Sequence, residues 1–295
     1  MQGVILAAGD GGRLAPLTLD TPKPLVTVLG KPMIDYTIEA LVTAGVKELL
    51  VVVGYKAELM EKHLKDGTRY GACIRLIYNP DFEMGNAISL YAARDYLPDG
   101  PFILAMADHL VSPSLIQNLL QGGDRAANNL AVDYKPIPLL VDEATKVLVD
   151  EQGCIRQIGK KLRRWNGVDT GVFLLTPEVF EAISRNLQDK GDCELSDAMT
   201  WLIEEGSGLK ACDVTGSFWL DVDNLQDLRL AERLLRKEGR DGKGLIRRHS
   251  LSDVEQKDVP AYGPHPRPYP RHPQSGLLSQ YGYRIDGGPG LRYGA

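Results

Sequence analysis

Hydrophobic residues dominate four short runs in the first half of the chain, at 4–7, 49–53, 74–77 and 102–106. A strand with one wet face alternates apolar and polar residues. A strand covered by helices on both sides does not, so these runs read as parallel strands buried on both faces. Between them, 33–44, 57–64 and 86–97 carry apolar residues at three- and four-residue spacing, which predicts helices. Pro32 suits a first helical turn and Gly45 a helix stop. This repetition predicts an α/β fold: a Rossmann-like, mostly parallel sheet flanked by helices, with right-handed crossovers.

The second half is less regular. Strand-like runs at 130–134, 146–149, 155–158 and 172–175 predict antiparallel additions, and helices are expected at 177–186, 196–205 and 225–238. The pattern then stops. Residues 250–295 hold seven prolines and seven glycines in 46 positions, and Pro264-His265-Pro266-Arg267-Pro268 suits neither helix nor central strand. The folded unit is therefore expected to end near 240–248, giving a domain over 1–240 and a disordered tail over 241–295.

Composition narrows the classes. A 43% hydrophobic, 25% charged chain of 295 residues can build an ordinary core. A net charge of −5 argues against nucleic acid or an anionic membrane as partner. Cys73, Cys154, Cys193 and Cys212 are scattered, with no Cys-x-x-Cys pair, and read as reduced thiols. No apolar run approaches bilayer length, and residues 1–8 lack a basic leader. The expected location is the cytoplasm.

The most informative segment is Leu6-Ala7-Ala8-Gly9-Asp10-Gly11-Gly12-Arg13-Leu14, continued by Pro22-Lys23-Pro24-Leu25. A buried strand runs into glycines at 9, 11 and 12, which let the backbone turn and approach a ligand. Leu6, Ala7 and Ala8 leave room for a flat base, loop N–H groups can hold phosphate oxygens, and Arg13 and Lys23 add positive charge. Gly-Lys-Ser/Thr is missing, so this is not a P-loop; Gly-x-Gly-x-x-Gly is missing, so it is not a dinucleotide fingerprint.

From Leu6 to Leu25 the pattern resembles the signature of the sugar-phosphate nucleotidyltransferases, and the likeness extends over 1–248. Within that family the chain is most similar to CTP:inositol-1-phosphate cytidylyltransferases. The segments that carry this are Ala105-Met106-Ala107-Asp108-His109, Asp142-Glu143-Ala144-Thr145-Lys146, Ile158-Gly159-Lys160-Lys161-Leu162, Val168-Asp169-Thr170-Gly171 and Trp219-Leu220-Asp221-Val222-Asp223. The resemblance implies a nucleotide-diphospho-sugar transferase fold and a magnesium-dependent reaction. A nucleoside triphosphate, CTP favoured, would meet a phosphorylated alcohol or sugar, and pyrophosphate would leave.

Individual residues can be read beside that likeness. Asp108 follows the 102–106 strand, at the carboxyl end where open α/β sheets bind ligands. Ser112-Pro113 already supplies a cap for the next helix, which leaves Asp108 free to hold magnesium. Asp221 and Asp223 form a second acidic pair. Asn224 and Asp227 suit a helix start there, which makes Asp223 a possible capping neighbour and favours Asp221 as the second metal ligand. The resemblance implies that Asn86 and Ser89 help hold base and ribose; Asn86 could equally cap the helix. It also implies that Lys160 meets the acceptor phosphate, with Lys161 as alternative, and that Asp169, Thr170 and Gly171 hold acceptor hydroxyls unless they are a structural turn. The histidines form no convincing catalytic set.

Two other classes are open to test. A glycosyltransferase with a similar sheet would carry Asp-x-Asp at the end of the 102–106 strand and release a nucleoside diphosphate. A nucleotide-binding regulatory subunit would lack one of Arg13, Lys23, Asp108 or Asp221. Within the favoured class, phosphocholine and sugar-1-phosphates are the alternative acceptors. The segment 241–248 resembles the junction at which inositol-phosphate cytidylyltransferases are fused to a membrane domain, and the following tail is read as a remnant of such a fusion.

Overall fold

The computed structural model describes residues 1–240; the expected tail over 241–295 lies outside the described residues. Strand β1 (Gln2–Ala7) leads through two 3-10 turns, Gly12–Leu14 and Lys23–Leu25. A hairpin of β2 (Thr27–Val28) and β3 (Lys31–Pro32) follows, then α1 (Met33–Thr43), β4 (Glu48–Val53), α2 (Ala57–Leu64) and β5 (Cys73–Tyr78). Next come α3 (Asn86–Ala92), β6 (Phe102–Met106), β7 (His109–Val111) and α4 (Pro113–Gly122). The second half runs β8 (Asn128–Asp133), α5 (Pro138–Val141), β9 (Lys146–Val149), β10 (Ile155–Gly159) and β11 (Gly167–Leu175). It ends with α6 (Val179–Lys190), α7 (Leu195–Glu204), β12 (Leu209–Asp213), β13 (Trp219–Asp221) and α8 (Leu225–Arg240).

Seven strands follow the order β10-β9-β11-β6-β1-β4-β5, and β8 with β12 completes a nine-stranded sheet. β1, β4, β5 and β6 pair in parallel, while β11 runs antiparallel to β6, β8 and β9. The core explains why the parallel strands look uniformly apolar. In β1, Val4 and Leu6 join a layer with Phe102, Leu104 and helices α3, α6 and α7. Ile5 and Ala7 join the opposite layer with Ile38, Leu41 and Leu115 from α1 and α4. Successive strand residues point to opposite faces, and both are covered at β1, β4 and β6; the expectation fails at β5, the last strand in the order, where Cys73, Arg75 and Tyr78 are exposed and only Ile74 and Ile77 are buried.

Helix boundaries follow local chemistry. Ser112 caps α4 by accepting from Leu115 N at 3.4 Å, with Pro113 in the first turn. After α1, Gly45 N bonds Val42 O and Val46 N bonds Leu41 O, the paired closure of a Schellman motif. At α8, Asn224 Oδ1 accepts from Asp227 N, and Asp227 Oδ2 accepts from Asn224 N. The expected helix at 86–97 is shorter, ending at Ala92 before a 3-10 turn over Arg94–Tyr96 that leads to Pro98.

Candidate active site

Asp108 lies between β6 and β7, past the carboxyl end of a central parallel strand. What brings Asp221 beside it is the β7–β13 ladder, in which Asp221 stands opposite His109, reinforced by Val222 N bonding Asp108 O at 3.1 Å. From the second 3-10 turn of the N-terminal motif, the buried Lys23 places its Nζ 2.6 Å from Asp108 Oδ2 and 2.7 Å from Asp223 Oδ1. Arg13 reaches the other oxygen of Asp223 at 2.7 Å while its side chain stays 62% exposed. Segments about 200 residues apart in sequence thus share one charge cluster.

The glycine loop is shaped to hold Lys23. Gly11 sits at φ +68°, and a Cβ there would come within 2.5 Å of Lys23 Cβ; only glycine meets both conditions without strain. Leu6 and Ala7 belong to the core layers, and the carbonyl of Ala8 accepts from Tyr55 N at 2.9 Å. Gly9, Asp10, Gly12 and Arg13 are the exposed members of the loop.

A cleft of about 520 Å³ opens beside the cluster, and Arg13, Asp108, Asp221 and Asp223 line it together with Asn86, Lys160, Asp169 and Gly171. Several expected contacts are not among its lining: Lys23 touches the cleft only through Asp108 and Asp223, and Leu6, Ala7, Ala8, Gly9, Gly11 and Gly12 lie outside it, as do Ser89 and Thr170. Ser89 is buried and accepts from Asn79 Nδ2 at 3.0 Å. Thr170 is fully buried, its hydroxyl donating to Ala131 O at 2.9 Å. The reason is strand alternation: with Asp169 facing the cleft, its neighbour must face the core. The 169–171 segment is also no simple turn, because β11 runs on through it with an irregularity between Asp169 and Phe173. Nor does Asn86 cap its own helix; its Oδ1 accepts from Leu195 N at 2.6 Å and ties α3 to the start of α7.

Electrostatics set this cluster apart. Burial opposes the charge on Lys23, but Asp108, Asp223 and Asp221 outweigh it and hold the ammonium above its usual range. Burial pushes the Asp108 carboxyl up, yet Lys23 and His109 hold it well below the ordinary carboxylate range. Asp221 goes the other way: burial, helped by Asp108 and Asp223, raises it despite His109. Its Oδ1 is buried and has no hydrogen-bond partner among the described residues. Burial also raises Asp169, to about 6.

A divalent cation fits this arrangement. One ligand atom each from Asp108, His109 and Asp221 lies within 4.8 Å of the others, and an orphaned carboxylate oxygen is what a hard cation would satisfy. His109 is the residue that sequence reasoning undervalued. Burial would lower its pKa, but Asp221, Asp108 and Asp169 raise it to about 9, and its one carboxylate hydrogen bond is to Asp108. Its Nδ1 lies 3.0 Å from Asp108 Oδ1 and 3.8 Å from Asp221 Oδ1. Its position next to Asp108 was the one available signal; the missing information was β13.

Gly171 seals the other side of the imidazole. Its φ is +75°, and a Cβ there would lie 2.4 Å from His109 Cδ2. Gly171→Ala should therefore cost about 1–2 kcal/mol for the left-handed backbone alone. By displacing His109 it should also lower turnover by up to about 10²-fold. Urea unfolding and steady-state rates check this, and wild-type values for both would refute the packing role.

Residues 2–238 match a family model described as Nucleotidyl transferase. The chain is 36% identical over 233 residues, 78% of its length, to a Rubrobacter xylanophilus protein named bifunctional IPC transferase and DIPP synthase, of which it covers 51%. It spans about half the length of the first curated relatives it matches. A solved inositol-1-phosphate CTP transferase from T. maritima superposes with a TM-score of 0.69 at 30% identity, covering 78% of this chain and 93% of that one. A UDP-glucose pyrophosphorylase complexed with UDP-glucose shares the fold, with a TM-score of 0.68 at 19% identity over 80% of this chain and 98% of that one.

Proposed function

Because the chain belongs to the nucleotidyl transferase family, we propose that it transfers CMP from CTP to inositol-1-phosphate and releases pyrophosphate. The observation that carries this reading is the convergence of Asp108, Asp221 and Asp223, held by Lys23, on a cleft that Lys160 and Asp169 also line. Similarity to an inositol-1-phosphate CTP transferase supports the choice of nucleotide and acceptor.

Both reactants are polyanions, and their repulsion is the obstacle. Two unit charges at 4 Å repel by roughly 1 kcal/mol in water and about 4 kcal/mol at an effective dielectric of 20. Magnesium suits the hard oxygens of Asp108 and Asp221. Bound there, it supplies charge neutralisation for the triphosphate. Arg13, exposed beside the glycine loop, takes triphosphate oxygens, and Lys23 offers its charge to the departing pyrophosphate. Asn86, which lines the cleft, takes the base or ribose. Lys160 receives the acceptor phosphate and Asp169 its hydroxyls. An acceptor phosphate oxygen forms a bond to the α-phosphorus as the bond to the bridging α–β oxygen breaks, and the electron pair leaves with pyrophosphate. The attacking phosphate is ionised near neutral pH, so no general base is required.

Among the described residues no helix is long and apolar enough to cross a membrane. The four free cysteines fit a reducing compartment, and we assign the reaction to the cytoplasm. The test is a matrix of four nucleoside triphosphates against inositol-1-phosphate, phosphocholine and several sugar-1-phosphates, read by pyrophosphate release. CTP with inositol-1-phosphate should be the fastest pair. Preference for another pair would overturn the substrates, and nucleotide binding without pyrophosphate release from any pair would overturn the reaction.

A further inference from the structure

A buried ammonium joins the parts of the cleft wall that face the acceptor. Lys146 opens β9 and is 8% exposed, and its Nζ donates to three backbone carbonyls. These are Asp142 O at 3.3 Å, Ala144 O at 3.3 Å and Lys160 O at 3.1 Å. Among the described residues no carboxylate forms an ion pair with it. Burying a cation against neutral dipoles alone is unfavourable compared with an apolar side chain of similar length. Methionine would fill the same space at β9 without that cost.

What the ammonium gains is geometry. Two of its carbonyls belong to the turn that carries Glu143 and Thr145, and the third belongs to Lys160; all three of these residues line the cleft. Along the backbone, Lys146 pairs with Gly159 of β10 on one side and with Val168 of β11 on the other. Asp169 N bonds Thr145 O at 2.9 Å, which attaches the fourth cleft residue to the same unit. Three segments are thus fastened at one point, just behind the side chains they present.

We propose that Lys146 is a positioning residue for the acceptor: its ammonium fixes the 142–145 turn and the Lys160 backbone so that Lys160 and Asp169 meet a phosphorylated polyol together. This rests on the reading of that wall as the acceptor site. Nothing on the nucleotide side, Arg13, Lys23 or the glycine loop, bonds to Lys146, so the two substrates should respond differently to its loss.

Wild-type enzyme is assayed first with CTP and inositol-1-phosphate. No turnover would reject the proposed substrates without bearing on Lys146, and the acceptor that the pyrophosphate assay does support then replaces inositol-1-phosphate. With an active pair, Lys146→Met should raise the KM for the acceptor by about tenfold or more, since small misplacements of binding groups are penalised strongly. The KM for the nucleotide should hold. Lys146→Arg, which keeps donors for the carbonyls, should recover most of the acceptor KM. In a double-mutant cycle the effects of Lys146→Met and Lys160→Ala on acceptor KM should be non-additive, because one acts through the other. If Lys146→Met does not fold, Lys146→Gln is read in the same way. Equal rises in both KM values, or additivity with Lys160→Ala, would overturn the proposal and leave Lys146 a structural residue only.

Discussion

Asp108→Ala should abolish pyrophosphate release while leaving the chain folded. Loss of a single electrostatic donor at a reacting centre costs about 10²–10³ in turnover. Asp108 stands to cost more, because it does two things at once. It is one of the two carboxylates proposed to hold magnesium, and it is the shared partner of Lys23 and His109. Without it, Lys23 would pair with Asp223 alone, and His109 would lose its nearest acceptor. The fold should tolerate this, since Lys23 keeps a counter-charge and the β7–β13 ladder is made by backbone. Pyrophosphate assays and urea unfolding in parallel separate the two effects. Turnover of wild-type order would remove Asp108 from the reaction.

Lys23→Met should fail in both respects. Turnover should drop by about 10²–10³, as for any lost donor to developing phosphate charge. Stability should drop as well. Removing one partner of a buried ion pair typically costs 3–5 kcal/mol, and the lower end, about 3 kcal/mol, applies where Arg13 still neutralises Asp223 and Asp108 is partly exposed. The direction of the pH dependence follows from the same group. Its folded-state pKa lies above the unfolded value, so its contribution is fully present below the ordinary lysine range and fades only as pH rises through the higher folded value. The variant should therefore be less stable than the wild type throughout neutral pH. Unfolding midpoints equal to those of the wild type would show that Lys23 is not the counter-ion of this cluster.

The parallel half of the fold was legible because burial on both faces leaves a continuous apolar signal at β1, β4 and β6. Other elements gave weaker signals. β13 is three residues long, and only its pairing with β7 makes it a strand. β11 was read as 172–175 because Asp169 and Gly171 interrupt the apolar run, yet the strand begins at Gly167. The site was legible as a set of residue types but not as neighbours: nothing local in Trp219-Leu220-Asp221 says that it lies against His109-Leu110-Val111. The same alternation that makes strands readable would have corrected Thr170, had β11 been recognised through 169.

The pairing of β13 with β7 also fixes when this centre comes into being. A chain emerging from the ribosome acquires the glycine loop, Lys23 and Asp108 early, with the parallel layers able to collapse around β1, β4 and β6. Asp221 and Asp223 arrive more than a hundred residues later. Until they do, Lys23 has one carboxylate instead of two and Asp108 lacks the second carboxylate with which it would hold a cation. Competence is thus gained late in synthesis, and a translation product halted before Trp219 would hold all nine strands of the main sheet with half a reaction centre.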